Sequence, residues 1–148
     1  MPTVSDPATL ESLAARLGRL RPETQRRWGT MTAGEMLCHL GDANTGVLDR
    51  REGSRKRRPR PIVKWLALVS PLHWPHGLVT PKVVDPKAGG TRPDVFDADR
   101  ARAIDTLRAI STATAMSPTH SVFGPMTVRD WQRWAWKHTD HHLRQFGL

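Results

Sequence analysis

The sequence predicts an all-α protein, a four-helix bundle of up-down-down-up order with a long, partly helical crossover between helices 2 and 3. Three observations carry this reading. Apolar residues recur at helical spacing in four segments, two of those segments open on capping boxes, and no segment reads as a convincing strand. The connections within the first and second helix pairs are about a dozen residues or fewer, which makes each pair antiparallel. The connection between the pairs, residues 50–97, is 48 residues long, enough for a parallel crossover. At 148 residues the chain is expected to form one domain, 1–148, with a sizeable core.

The first helix begins at Ser5-Asp6-Pro7, with Asp6 as its N-cap and proline in the first turn. Leu10, Leu13, Leu17 and Leu20 form its apolar stripe, Pro22 ends it, and Trp28-Gly29 follows in the connection. Thr32-Ala33-Gly34-Glu35 is a capping box opening the second helix, which carries Met36, His39, Leu40, Ala43 and Val47 on one face. Cys38, the sole cysteine, cannot form an internal disulfide and is expected to be a small core or boundary residue.

The crossover opens on a basic run. Arg50, Arg51, Arg55, Lys56, Arg57, Arg58 and Arg60 against Glu52 supply +6 of the net charge of +9. It reads as a solvated loop, and a nucleic-acid partner is not expected. Ile62 to Val69 is a short apolar segment, expected as a small helix capping the domain and too short for stable membrane attachment. Pro71, Pro75, Pro81, Pro86 and Pro93 punctuate the rest of the crossover, and Gly89-Gly90 is expected as a mobile turn. Asp97 is expected to cap the third long helix, with Ile104, Leu107 and Ile110 on its stripe and Pro118 closing it. His120 to Pro125 is a loop. Thr127 then caps a final helix starting near Val128.

On that last helix His138 and His142 are four residues apart and share a face with Trp131, Trp134 and Gln145. Such a pair is either a hydrogen-bonded core pair or part of a metal site. Height bears on the choice and leaves both open. At 1.5 Å per residue, His39 lies about 10 Å from the start of its helix, and His138 and His142 lie about 10 and 5 Å from the end of theirs. The second and fourth helices run in opposite directions, so three imidazoles can converge and leave an open coordination position. Asp42, one turn after His39, is placed to orient a ligand imidazole, with Asp140 a weaker candidate. His141 is turned about 100° from His142, beside the site or at the surface. His120, placed in the loop remote from the site, is expected to bond the backbone that closes the bundle.

A histidine in the second helix and H-x-x-H-H-x-x-Q in the last resemble the DinB-like superfamily of metal-binding four-helix bundles. Trp28-Gly29-Thr30-Met31-Thr32, Met36-Leu37-Cys38-His39-Leu40, His120-x-x-Phe123-Gly124 and His138 to Gly147 are similar to a subset of its short members, across most of the chain. The resemblance implies a divalent metal, zinc or nickel, on His39, His138 and His142. Better-known relatives in that superfamily transfer low-molecular-weight thiols to electrophiles and others are hydrolases, and the resemblance does not itself imply this subset's reaction. An enzyme of the thiol-transferase type acting on a small electrophile is expected, with a metal-dependent hydrolase as the alternative. A non-enzymatic binding protein whose metal pins the bundle stays open.

With no general base evident beside the site, thiolate transfer is favoured over hydrolysis. Residues Lys82 to Arg92, late in the crossover, are expected at the mouth of the site. There Lys82, Lys87 and Arg92 would meet an anionic co-substrate under a mobile lid. The expected partner is a small molecule, a homodimer stays open, and no membrane partner is expected. The first twenty residues lack the apolar run of a signal peptide and no stretch reaches transmembrane length, so a cytoplasmic protein is expected.

Overall fold

The computed structural model describes residues 1–50 and 59–148, so most of the basic run lies outside the described residues. The chain is mostly helical, with five α-helices and little strand among those residues. Helix α1 (Pro7–Arg19) starts where the Asp6 carboxylate accepts the Thr9 amide at 3.0 Å. Helix α2 (Ala33–Leu48) starts on a complete capping box. The Thr32 amide donates to Glu35 Oε2 at 2.8 Å and the Glu35 amide to Thr32 Oγ1 at 3.2 Å. Helix α3 (Pro61–Leu68) is the short apolar helix of the crossover, and a 3₁₀ turn (Lys82–Val84) follows it.

Helix α4 (Phe96–Thr112) begins ahead of the expected cap. Its N-cap is Val95, and Asp97 lies inside the first turn, paired with Arg100 at 2.6 Å. Asp99 instead reaches back to the Asp94 amide at 3.2 Å, which anchors the chain just ahead of the helix without a cap from Asp97. Its buried face is Ala103, Leu107 and Ile110, with Ile104 half-buried. The loop after α4 contains a small antiparallel pair, β1 (Thr119–His120) and β2 (Gly124–Pro125), where only irregular chain was expected. Gly124, at φ +78°, supplies the left-handed backbone that this tight return requires. Helix α5 (Val128–Gln145) opens on the second complete capping box, between Thr127 and Asp130.

The core draws on all the long helices. Leu13 and Leu17 of α1, Met36, Leu37 and Leu40 of α2, Leu107 and Ile110 of α4, and Trp131 and Leu143 of α5 are fully buried. Helix α2 packs most extensively against α4. Gly34 lies against Pro93 and Phe96, Gly41 against the Arg102 guanidinium, and Asn44 donates to Thr106 Oγ1. Cys38 is buried between them, and burial, with Asp99 beside it, pushes its thiol pKa up to about 12.

The crossover is fastened to α5 at two points. Lys64 of α3 donates to the Pro125 carbonyl and pairs with Asp130, both at 2.7 Å. Lys137 of α5 donates to the Ser70 and Leu72 carbonyls. Gly89-Gly90, expected as a mobile turn, is a closed one. The Gly89 amide bonds the Lys82 carbonyl at 2.9 Å and the Gly90 amide the Asp85 carbonyl at 2.8 Å. No helix among the described residues is long and apolar enough to cross a membrane.

Candidate metal centre

Helices α2 and α5 bring His39, His138 and His142 together, each under 10 % exposed. One ring nitrogen from each lies within 4.8 Å of the other two. His39 Nε2 and His138 Nε2 are 3.0 Å apart. The three rings stand 4.9 to 5.0 Å apart with interplanar angles of 70° to 79°, so they meet edge to face rather than stacked.

The partners behind the rings fix two tautomers. His39 Nδ1 lies 2.8 Å from the Val84 carbonyl, which can only accept, so Nδ1 carries the proton and Nε2 the inward lone pair. His142 Nδ1 lies 2.9 Å from Gln145 Oε1, and the Gln145 amide nitrogen donates to the Trp28 carbonyl at 2.9 Å. That second bond holds the glutamine oxygen toward His142, whose Nε2 lone pair therefore also faces inward. With His39 Nε2 unprotonated, the 3.0 Å contact makes His138 Nε2 the donor, and its buried Nδ1 is left as a lone pair without a partner; a metal ion would take the place of the shared Nε2 proton.

Burial pushes the pKa of His138 and His142 well below the ordinary histidine value, and neighbouring imidazoles add to the effect. Burial lowers His39 as well, against the opposing pull of the Val84 bond. All three rings are therefore neutral at neutral pH. Inward lone pairs on neutral imidazoles, with a buried nitrogen left unpaired, fit a divalent cation.

Two glycines make this geometry sterically accessible. Gly29, at φ +79°, lies so close to the Gln145 side-chain amide that a β-carbon would collide with it. Gly90 lies against the crossover turn, where a β-carbon would stand 2.9 Å from the carbonyl carbons of Val84 and Asp85. Each therefore stands behind one of the two acceptors that orient a ring.

The other expected residues fall elsewhere. Asp42 accepts the Thr91 amide and hydroxyl and the Arg102 guanidinium. The acceptor behind His39 is the Val84 carbonyl instead, because the crossover turn occupies that side of the ring. Lys87 is drawn to the mouth of α2, donating to the Thr30 carbonyl at 2.8 Å and pairing with Glu35 at 3.6 Å. Arg92 is exposed. Asp140 is taken by Arg16 at 2.8 Å.

His120 accepts the Val122 and Phe123 amides at Nδ1, 3.0 and 3.4 Å, and stacks on Phe123. Its place differs from the remote one expected. The Trp134 ring lies 6.2 Å from His120 and 4.5 Å from His138, so one indole separates the loop histidine from the triad. The small antiparallel pair causes this, by folding the loop back over the start of α5.

His141 meets the His142 ring edge to face at 5.3 Å and lines an adjoining cleft with Trp28, His73, Trp74, His76, Lys137, Asp140 and Arg144. The Trp28 and His76 rings stack at 3.8 Å, and Trp74 stands 6.0 Å from both His138 and His141. The sequence reading missed this cleft. Its visible signal was His73-Trp74-Pro75-His76, two histidines and a tryptophan crowded into a proline-rich stretch. No curated protein and no solved structure matches the chain. With the histidine triad carried on α2 and α5, and a family model matching residues 6–146, the chain belongs to the DinB superfamily.

Proposed function

We infer that the chain is a metal-dependent enzyme of the thiol-transferase type, acting on a small electrophile. His39, His138 and His142 would hold one divalent ion, zinc or nickel as the family resemblance implies, both among the metals that imidazole donors suit. Such an ion lowers the pKa of a thiol or water at its open position. The observation that carries the reading is the pair of inward lone pairs fixed by Val84 and Gln145.

The chain's own groups do the rest. Trp134, stacked on His138, and Trp74 limit water around the triad. The nearby carboxylates are engaged, Asp42 with Arg102, Asp85 with the Lys87 amide at 2.9 Å and Asp140 with Arg16, so none stands unpaired as a general base for hydrolysis. That favours a thiol over water as the nucleophile. The same reading takes the chain as one domain with up-down-down-up order. The rising numbers of the α2–α4 contacts, Gly34 with Phe96 and Asn44 with Thr106, support it.

Purified protein is expected to carry near-stoichiometric zinc or nickel, and His142→Ala to lose most of it. Full metal retention by the alanine variants of all three histidines would remove the centre. In cobalt-loaded protein, added 2-mercaptoethanol should produce a thiolate-to-cobalt charge-transfer band. Its absence would leave a second reading, favoured by the burial of all three rings, in which the metal only pins α2 to α5.

A further inference from the structure

Arg144 has a cation to spare. On a helix, Asp140 at the i−4 position is its natural ion-pair partner. Arg16 of α1 takes that carboxylate at 2.8 Å, and a second Arg16 nitrogen donates to the Leu148 carbonyl at 3.0 Å. The Arg144 guanidinium is left half-buried, lining the cleft, with no hydrogen bond or ion pair among the described residues. Aromatic rings line the same cleft. Trp74 is set by its own N–H bond to the Ala67 carbonyl at 2.8 Å and by the Lys137 bonds that hold residues 70 and 72. Trp28 is held by its carbonyl's bond to Gln145 and by stacking on His76.

We propose that this cleft binds the carboxylate of a small organic monocarboxylate, with Arg144 as the anion-binding residue and Trp28 and Trp74 against the body of the molecule. A guanidinium presents two parallel N–H groups that match a carboxylate. Arg16 neutralises Asp140 and the Lys137 ammonium is directed at the Ser70 and Leu72 carbonyls, so Arg144 is the one cation lining the cleft without a partner among the described residues, a match for a single carboxylate. Trp74 touches both the cleft's His141 and the triad's His138, so a molecule anchored at Arg144 extends toward the triad along that indole. The proposal rests on the metal reading only for where the reacting end lies. None of the residues lining the cleft belongs to the triad.

The test uses benzoate as the probe, followed by quenching of tryptophan fluorescence and by amide chemical shifts, in chelator-treated and in zinc-loaded protein. Benzoate should bind both forms, with shifts at Trp74, His141 and Arg144. Arg144→Gln should weaken it about tenfold or more, and Arg144→Lys should fall between. Methyl benzoate and inorganic phosphate should bind much more weakly. Equal benzoate binding by Arg144→Gln would overturn the proposal, as would equal binding of the neutral ester or binding only in the zinc-loaded form. Metal content, measured on the same samples, reports separately on the triad. A failure there leaves the cleft's result standing.

Discussion

Helices α2 and α5 and the crossover between α2 and α4 are all rich in apolar residues, yet they use them in opposite ways. Met36, Leu37, Leu40, Trp131 and Leu143 on the two helices are at most 1 % exposed. Ile62, Trp65, Leu72 and Val79 in the crossover are 55 % to 93 % exposed. The helices start on complete capping boxes, whereas α3 has no side-chain cap. Register is therefore fixed where the three histidines sit. The crossover contributes by single contacts instead, a carbonyl from Val84 and a ring from Trp74. The centre needs both kinds of support, one setting height and the other setting ring orientation.

The contrast breaks most sharply at buried aromatic positions. Trp131→Ala should cost about 3–5 kcal/mol, since it empties a fully buried site and removes the N–H bond to the Ser117 carbonyl. Val79→Ala should change stability by less than about 0.5 kcal/mol. Urea unfolding of both variants measures the gap, and comparable losses would erase the distinction between the regions.

A smaller and more local break is available at Gly29. An alanine there meets both the left-handed backbone and the Gln145 amide. The glutamine must move, freeing the His142 ring, and metal affinity should fall about 10- to 100-fold with the helical content unchanged. Zinc titration against a competing chelator measures this. Undiminished affinity would show that Gln145 does not orient the ring.

The last break concerns acid, and per pH unit it is the mildest. Burial brings the His120 pKa down to about 4, and its Nδ1 accepts two amides only while unprotonated. Above the ordinary value of 6.5 the ring is neutral whether the chain is folded or not, and its contribution is constant. As pH falls from there toward 4, the unfolded chain takes up a proton that the folded one refuses. Stability should then drop by as much as about 1.4 kcal/mol per pH unit from this group. The buried triad adds to the slope in the same direction. His120→Asn, which keeps an acceptor without a titrating ring, should flatten the slope between pH 6 and 4 in metal-free protein. An unchanged slope would assign the acid sensitivity wholly to the triad.

The triad was legible because two signals agreed, the i, i+4 spacing of His138 and His142 and the depth of His39 in its own helix. Gln145 was visible on the same stripe, although not its hold on His142. Val84 could not be seen, since its contribution is a backbone carbonyl 45 residues from His39 in sequence. The cleft was hidden for a related reason. Prolines give residues 71–93 no periodicity, so nothing in the order of side chains says which of them face inward. The free charge of Arg144 depends on Arg16 claiming Asp140, and that choice is made in three dimensions only.

Cys38 has a practical corollary. A protein read as handling small thiols carries one thiol of its own, sealed in the α2–α4 contact and held protonated by a pKa near 12. It offers almost no thiolate near pH 7, so mixed disulfides with an oxidised co-substrate should not form on the native chain. Colorimetric titration of free sulfhydryls in a reaction mixture would thus count substrate alone, with the folded protein as a silent background.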